Sequence, residues 1–223
     1  MKSTKGYFIT GTDTGVGKTG FSCQLIKKLR GEGHRVHAMK PVASGAVATK
    51  DGLRNQDALD LIEACGEPLA YELVNPYVFA APIAPHIAAM EAGITISLDE
   101  IKLQYRRLAN DADRMIVEGV GGLLVPLNEE QTLADLARVL RLPLILVVGM
   151  RLGCLNHALL SMEPIERLGL PFAGWVANFI DPDFSHPEQN LHSLQKRIPA
   201  PLLASIAHGK MDEVFLELTC NKF

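Results

Sequence analysis

The sequence predicts a three-layer α/β domain in which helices cover both faces of a mostly parallel sheet. Short apolar runs of strand length alternate along the chain with segments whose apolar residues recur at helical spacing. That alternation is typical of parallel sheets. The 223 residues suit one large domain spanning 1–223, with enough core to be stable alone. We find no internal repeat, low-complexity tract or linker that would divide the chain.

The fold is organised around the stretch 7–19, which reads YFITGTDTGVGKT. Its apolar start predicts a buried strand, and a Gly-rich turn then leads into a helix opened by Lys18 and Thr19. Gly15 and Gly17 allow backbone N–H groups to converge on an anion, which the helix N-terminus also favours. We expect Lys18 to reach the terminal phosphates of a nucleotide and Thr19 to bind Mg²⁺. The sequence therefore predicts a P-loop NTPase-like fold that binds a nucleoside triphosphate.

The spacing within this loop leaves two alternatives open. The usual phosphate loop has four residues between its first Gly and the Gly-Lys pair, whereas Gly11 and Gly17 enclose five. Either Thr12 occupies the first-Gly position or the loop is one residue longer. A chance Gly-Lys-Thr in an ordinary turn is disfavoured, because strand, loop and helix all fall where phosphate binding requires them.

Composition limits the classes of partner. The net charge of −3 provides no general basic surface, so we expect no nucleic-acid partner. The four cysteines lie far apart, which favours reduced thiols in an intracellular protein over a disulfide frame or a zinc site. The N-terminus leads directly into a strand with no room for a signal peptide, and no apolar run reaches about 18 residues. We therefore expect a cytoplasmic protein with no membrane partner.

The remaining elements are predicted in order from their apolar patterns. Ser97 and Glu100 form a capping-box signature, and Thr132 and Asp135 cap a further amphipathic helix. Other helices are expected after Asp57, from Asn156 and after Gly209. Residues 86–92 form a short Ala-rich segment after a loop, and a polar segment follows residue 180. After the first helix, strands are predicted at 35–40, 75–79, 113–122, 142–149, 172–180 and 200–206.

Polar side chains stand where several of these strands end. Lys40 ends the second strand, Glu118 ends the apolar run 115–117 within the strand 113–122, and Asn178 lies near the end of the strand 172–180. Because parallel strands present their C-terminal ends along one edge, we expect these side chains to share a crevice with the phosphate loop. From its position alone, Lys40 could equally well be a ligand-binding residue or a solvated lysine before a loop. Glu118, followed by Gly-Val-Gly-Gly, is poorly explained as a solvated surface acid.

The acidic residues and lysines together indicate phosphoryl transfer. Asp57 lies near a helix start, where the helix dipole favours an acid, and position alone favours that structural role. With Thr19 and Glu118, however, Asp57 can supply the hard oxygen ligands that Mg²⁺ prefers. Two lysines, two acids and a phosphate loop suit phosphoryl transfer from ATP, in which the protein mainly positions ligands and neutralises charge. The seven histidines show no spacing typical of a His-based metal site.

With these motifs assembled, the chain closely resembles the dethiobiotin synthetase family. The resemblance runs from the phosphate loop to about Ile206, and the motifs occur in the family's order. The extra residue in the phosphate loop is also shared with that family. The matching stretches are FITGTDTGVGKT, KPVASG, GLRNQDA, VNPY, the PxxPH at 82–86, VEGVGG, VVGMRLGCLNHA and GWVAN.

The resemblance implies an ATP- and Mg²⁺-dependent ligase of biotin biosynthesis. In the reaction it implies, an amine of 7,8-diaminopelargonate takes up CO₂, supplied from bicarbonate, as a carbamate. The carbamate attacks the γ-phosphate of ATP. The second amine then closes the ring on the carbamic–phosphoric anhydride, which gives dethiobiotin, ADP and phosphate.

The resemblance also implies roles for particular residues. Lys18 and Lys40 would be catalytic, because they would stabilise the phosphates and the carbamate, and Asn178 would read the adenine edge. The nucleotide-binding set is Thr14, Gly15, Val16, Gly17, Lys18, Thr19, Asp57, Glu118 and Asn178. The metal set is Thr19, Asp57 and Glu118, and the substrate set is Thr14, Ser44, Pro82, Gly153, Cys154 and Asn156.

The family is homodimeric, with its substrate at the interface. The resemblance therefore implies that Gly153, Cys154 and Asn156 of the partner subunit receive the substrate carboxylate, which free N–H groups at a helix start also favour. The chain departs from the family at 204–207, where it has ASIA and the family often has Gly-x-Ile-Pro. That loop helps to hold the base, so nucleotide selectivity stays open.

Three other functions share parts of this pattern. A chromosome-partition ATPase switch has the same fold class, but it carries an additional early Lys in its phosphate loop that 11–17 lacks. A related amide-forming ligase usually has a further glutaminase domain, which 223 residues cannot hold. A paralogue that binds nucleotide without turnover is disfavoured by the presence of Lys18, Lys40, Asp57 and Glu118.

Overall fold

The structure, a computed structural model, describes residues 5–213 of the chain. The strands are β1 (Lys5–Gly11), β2 (Val36–Met39), β3 (Val42–Ala43), β4 (Val47–Thr49), β5 (Gly52–Arg54), β6 (Tyr77–Val78), β7 (Arg114–Gly122), β8 (Leu144–Met150), β9 (Phe172–Phe179) and β10 (Leu202–Ile206). The helices are α1 (Lys18–Gly31), α2 (Gln56–Cys65), α3 (Tyr71–Val74), α4 (Pro85–Glu91), α5 (Leu98–Asn110), α6 (Leu133–Leu140), α7 (Cys154–Arg167) and α8 (Pro187–Arg197), followed by a 3₁₀ turn at Met211–Glu213.

Among residues 5–213, six strands form the central sheet in the order β10-β9-β8-β1-β7-β2, and all neighbouring pairs are parallel. Successive side chains of a strand point to opposite faces, so Phe8 lies in one buried cluster and Tyr7 and Ile9 lie in the other. Helices α1 and α2 cover the Ile9 face, and α5 to α8 contribute to the Phe8 face. The predicted three-layer α/β fold with a parallel sheet is confirmed.

Several local expectations need correction. The strand predicted at 75–79 is only Tyr77–Val78, and it pairs with β3 outside the central sheet. The polar segment after residue 180 contains helix α8, and the exposed β4–β5 hairpin was not predicted. Helix α7 begins two residues before the expected start at Asn156. Of the helix expected after Gly209, the structure describes only the turn at Met211–Glu213.

The predicted capping box is complete at Thr132 and Asp135 but only half formed at Ser97 and Glu100, because the Ser97 N–H donates to Tyr77 Oη instead. Ser97 Oγ accepts a hydrogen bond from the Glu100 N–H at the start of α5. Thr132 and Asp135 form a reciprocal capping box at the start of α6. These contacts satisfy N–H groups that a helix start otherwise leaves unpaired.

Within residues 5–213, the structure describes the state of three cysteines and the lengths of the helices. Cys23, Cys65 and Cys154 are free thiols, whereas Cys220 lies outside the described residues. Burial raises the pKa of Cys65 to about 12, so its thiol stays protonated. None of the helices in this range has the length and apolar content needed to cross a membrane.

Candidate active site

The phosphate loop connects β1 to α1 at the C-terminal edge of the sheet. Gly11 is the last residue of β1, and a Cβ there would lie 2.7 Å from Val16 Cγ2 and 3.1 Å from Lys18 Cδ. Thr12 does carry a side chain, whose Oγ1 accepts a hydrogen bond from the Gly149 N–H at 3.2 Å. Close approach thus requires glycine at position 11 and not at 12, which favours the loop that is one residue longer.

Asp13 holds this loop from two sides. Its carbonyl oxygen accepts a hydrogen bond from Lys18 Nζ at 2.8 Å, and its Oδ1 accepts one from the Thr14 N–H at 2.7 Å. Asp13 Oδ2 lies 2.6 Å from Nη2 of Arg151, in the turn between β8 and α7. Neither residue was expected in the site, because no periodicity indicates that the loop after β8 reaches the loop after β1.

A cavity of about 760 Å³ opens beside the loop. Its lining brings together most of the residues predicted for the site, although they come from five separate stretches of sequence. Asn55, Ile83, Ala84, Pro85, Val120, Gly121, Val125 and Pro126 also line it and were not predicted. The predicted residues that line it are Thr14, Gly15, Gly17, Lys18, Thr19, Lys40, Ser44, Asp57, Pro82 and Glu118.

Lys40 connects the acidic residues of this cavity. Its Nζ donates to Glu118 Oε1 at 2.6 Å and to Asp57 Oδ2 at 2.8 Å. The Thr19 hydroxyl donates to the same Glu118 oxygen at 2.8 Å. Glu118 Oε2 is buried and has no hydrogen-bond partner within residues 5–213. The cluster is therefore compact, and it keeps one buried carboxylate oxygen available.

The charges of this cluster support one another. Burial by itself would lower the pKa of Lys40, but the carboxylates of Glu118 and Asp57 outweigh it and raise that pKa. For Asp57, burial opposes ionisation, but the Lys40 ammonium outweighs it and lowers the pKa. Lys40 is consequently a permanent cation at neutral pH, and Asp57 is an anion.

A buried hydrogen-bond chain positions Lys40 and Asp57 relative to each other. Asn75 Nδ2 donates to the Lys40 carbonyl at 2.7 Å, and Tyr71 Oη donates to Asn75 Oδ1 at 2.9 Å. Tyr71 Oη in turn accepts from the Asn55 N–H at 2.7 Å. Asn55 caps helix α2, which carries Asp57 in its first turn. The VNPY motif therefore supports the site without lining the cavity.

Two residues predicted to bind nucleotide lie behind the loop instead of in the cavity. The Val16 side chain is buried in the core that contains Ile9, so only its backbone is available to a nucleotide. Asn178 is 7% exposed, and its Nδ2 donates to the Val16 carbonyl at 2.9 Å.

The three residues predicted to receive the substrate carboxylate begin helix α7, outside the cavity of their own subunit. Gly153 is the N-cap with φ 94°, and Cys154 is buried. Burial raises the pKa of the Cys154 thiol, which makes it a poor nucleophile. Because Cys154 is only 1% exposed, we expect a ligand to meet its backbone N–H and not its thiol.

Comparison with known proteins decides the family. A family model described as "AAA domain" matches residues 5–210. The chain is 52% identical over 201 residues to "ATP-dependent dethiobiotin synthetase BioD" of Pseudomonas aeruginosa (strain UCBPP-PA14), over 90% of this chain and 88% of that protein. It is 48% identical over 222 residues to the protein of the same name from Cellvibrio japonicus (strain Ueda107), over 97% of each. This chain belongs to the dethiobiotin synthetase family.

Solved structures show that this dethiobiotin synthetase family member shares its fold with more distant nucleotide-binding proteins. The signal recognition particle receptor FtsY from Elizabethkingia anophelis in complex with GDP matches with a TM-score of 0.57 and 18% identity, over 98% of this chain and 61% of that chain. The septum site-determining protein MinD complexed with Mg-ADP from Pyrococcus horikoshii OT3 matches with a TM-score of 0.54 and 18% identity, over 91% of this chain and 81% of that chain. At these identities the likeness concerns the fold alone.

We expect Lys18 to give this member of the dethiobiotin synthetase family a pH-dependent affinity for ATP. Burial, and then the neighbouring Lys40, lower the Lys18 pKa to about 8. Only the protonated ammonium attracts phosphate, so affinity should be nearly constant below pH 8 and fall up to about tenfold per pH unit above it. Calorimetry in buffers of different ionisation enthalpy should also detect proton uptake on binding near pH 8. Lys18→Arg, which stays charged, is the control, and an equal pH dependence in that variant would contradict the assignment to Lys18.

Proposed function

We propose that this chain carries out ATP-dependent synthesis of dethiobiotin, as a ligase of biotin biosynthesis, from 7,8-diaminopelargonate and CO₂ or bicarbonate. The observation that carries the proposal is one cavity in which the phosphate loop meets the Lys40–Glu118–Asp57 cluster. Identity of 52% to a named ATP-dependent dethiobiotin synthetase supports it. We further propose that residues 1–223 act as one synthetase domain in the cytoplasm.

The cluster has the chemistry of a Mg²⁺ site. Thr19, Asp57 and Glu118 offer hard oxygen ligands on one wall of the cavity. The unpartnered, buried Glu118 Oε2 supports metal binding, because a buried carboxylate oxygen without a partner is costly to retain for stability alone. We infer that these three residues hold Mg²⁺ together with phosphate oxygens. A bound Mg²⁺ would neutralise negative charge on the phosphates.

The two lysines suit different parts of the reaction. Lys18 lies in the phosphate loop, where it would stabilise the β- and γ-phosphates of ATP. Lys40 is held as a cation by Glu118 and Asp57, so it would stabilise negative charge on the carbamate oxygen and the transferred phosphoryl group. A lysine whose pKa is raised cannot serve as a general base at neutral pH. The role of Lys40 is therefore electrostatic.

The cavity also suits the diamine substrate. Thr14 and Ser44 lie near its phosphate-binding end in the predicted scheme, and the apolar residues Pro82, Ile83 and Val120 also line it. An uncharged methylene chain needs apolar contacts of this kind and no specific polar partner. We propose that the chain of 7,8-diaminopelargonate passes along Pro82 toward a carboxylate site outside this subunit's cavity.

That carboxylate site would come from a second copy of the chain in a homodimer. Three leucines before α7, within it and after β7 are exposed: Leu152 by 89%, Leu160 by 62% and Leu124 by 52%. Leu124 and Leu160 line a common groove. Adjacent exposed leucines are typical of surfaces that a partner covers. The helix start at Gly153 directly follows the exposed Leu152, and the same helix carries Leu160, which supports the proposal that this helix start completes the partner's site.

Leu160→Glu is expected to separate the dimer. An unpaired charge in a buried interface costs roughly 2 kcal/mol or more, so the dimer dissociation constant should rise about 30-fold or more. Sedimentation measures this change, and ATP binding should be kept while diaminopelargonate binding is lost. Met90→Glu is the matched control, because Met90 is 72% exposed on α4 and lines a different cavity. A Leu160→Glu protein that remains dimeric would remove this surface from the interface.

Phosphate release tests the proposed activity. We expect release from ATP and Mg²⁺ to depend on both 7,8-diaminopelargonate and bicarbonate, with dethiobiotin formed in equal amount. Slow release indifferent to both additions would contradict the synthetase and favour an ATPase switch, for which a protein partner would then be sought.

A further inference from the structure

The 3₁₀ turn at Met211–Glu213, which follows β10, is fixed to helix α1. Gln24 of α1 donates a hydrogen bond to Asp212 Oδ1 at 2.8 Å. Within the turn, the Lys210 N–H donates to the Ala207 carbonyl at 3.0 Å, and the Glu213 N–H donates to the Lys210 carbonyl at 3.0 Å. The turn therefore has a defined place beside the phosphate loop.

Met211 lies directly on the start of α1. A Cβ at Gly20 would lie 2.9 Å from Met211 Cγ and 3.3 Å from its sulfur, so glycine at this position is what lets the thioether approach. A Cβ at Gly17 would lie 3.3 Å from Met211 Cε and 2.3 Å from Asn178 Nδ2. Met211 and the Asn178 carboxamide thus meet over Gly17, which also lines the phosphate cavity.

The orientation of the Asn178 carboxamide follows from its partner. The Val16 carbonyl can only accept a hydrogen bond, so the Asn178 nitrogen must face it, as the 2.9 Å contact shows. The Asn178 oxygen is then the atom directed elsewhere. A 6-aminopurine presents a donor to such an oxygen, whereas a 6-oxopurine presents an acceptor, which repels it. A polar group that is 93% buried, being 7% exposed, and that retains an acceptor is consistent with a ligand at this place.

We propose that Met211 forms a wall of the base site, where its thioether packs against the purine ring beside Asn178, the residue that the family resemblance already assigns to the adenine edge. This proposal rests on the ATP-binding part of the proposed function. A polarizable thioether packs favourably against an aromatic ring, and Met211 is only partly buried by the protein itself. The turn then takes the place of base contacts that the altered segment 204–207 was expected to weaken.

A ligand without a base separates this role from structural packing. In the Met211→Ala protein, calorimetry should show ATP and ADP binding about tenfold weaker, because the ring loses its thioether contact. Binding of inorganic tripolyphosphate should stay within about twofold, since the phosphate loop is unchanged. Met211→Leu should lose less than Met211→Ala, and Lys210→Ala, on the exposed side of the same turn, is the matched control.

A second variant disturbs the turn without changing Met211. Gln24→Ala removes the hydrogen bond to Asp212 and should weaken ATP binding but not tripolyphosphate binding. Equal loss of ATP and tripolyphosphate binding in Met211→Ala, or unchanged ATP binding, would overturn the proposal. Absence of ATP binding in the unaltered protein would instead contradict the proposed function, so the two failures are distinct.

Discussion

Replacement of Lys40 by Ala is expected to abolish turnover while leaving nucleotide binding largely in place. Its ammonium lies where charge develops on the carbamate and the phosphoryl group in the proposed reaction. Loss of one such preorganised donor lowers kcat by about 10²- to 10³-fold or more. ATP binding, measured by calorimetry, should change by less than about threefold, because Lys18 and the loop N–H groups remain. Equal loss of binding and turnover would contradict a role confined to the reacting groups.

The same substitution should also lower stability, which must be separated from its effect on catalysis. Glu118 is fully buried, and removal of its partner leaves an uncompensated charge at a cost of about 3–5 kcal/mol. The Asp57 side chain is 42% exposed, so water relieves much of its loss and the lower end of this range is expected. Lys40→Met, which keeps the buried stem, is the companion variant. Thermal unfolding with and without Mg²⁺ and ATP identifies the folded fraction.

Glu118→Gln is expected to weaken the dependence on Mg²⁺ while it keeps the hydrogen bonds made by the Oε1 oxygen. Glutamine keeps an acceptor oxygen for the Thr19 hydroxyl and for Lys40, but its amide nitrogen replaces the unpartnered Oε2. The Mg²⁺ concentration for half-maximal activity should rise about 10- to 100-fold. A Mg²⁺ titration of phosphate release measures this shift.

Glu63→Gln is the control for that titration, because Glu63 is an exposed acid on α2 outside the cavity. This variant should titrate like the unaltered protein. An unchanged Mg²⁺ titration for Glu118→Gln would remove Glu118 from the metal site.

The central fold was predictable because its strands are buried on both faces. Stretches such as 142–149 are continuously apolar, and the covering helices show their apolar faces at helical spacing. Helix α8 was missed because Leu194 is its only buried residue, which leaves almost no periodic signal. The β4–β5 hairpin was missed for a similar reason, since none of its strand residues is buried. The apolar residues at 75–79 suggested a strand of the main sheet, but they belong to a short segment that packs beside it and pairs only with β3.

The candidate site was predictable where a residue follows a strand of the sheet or belongs to a known motif. Topology then brings Lys18, Lys40 and Glu118 to one edge. Contacts between distant loops could not be predicted, because no local pattern indicates that Arg151 reaches Asp13 or that Met211 reaches Gly20. The support that Asn75 gives to Lys40 was hidden in the same way. Such contacts depend on three-dimensional packing and on no spacing within the sequence.

The most direct test of the proposed reaction follows oxygen from CO₂ into phosphate. If a carbamate oxygen attacks the γ-phosphate and ring closure then expels phosphate, that oxygen must leave with the phosphate. With freshly dissolved C¹⁸O₂, ATP, Mg²⁺ and 7,8-diaminopelargonate, mass spectrometry should find one ¹⁸O atom in each phosphate released and one in the urea carbonyl. Phosphate without ¹⁸O, formed alongside labelled dethiobiotin, would contradict the carbamic–phosphoric anhydride and the electrostatic role given to Lys40.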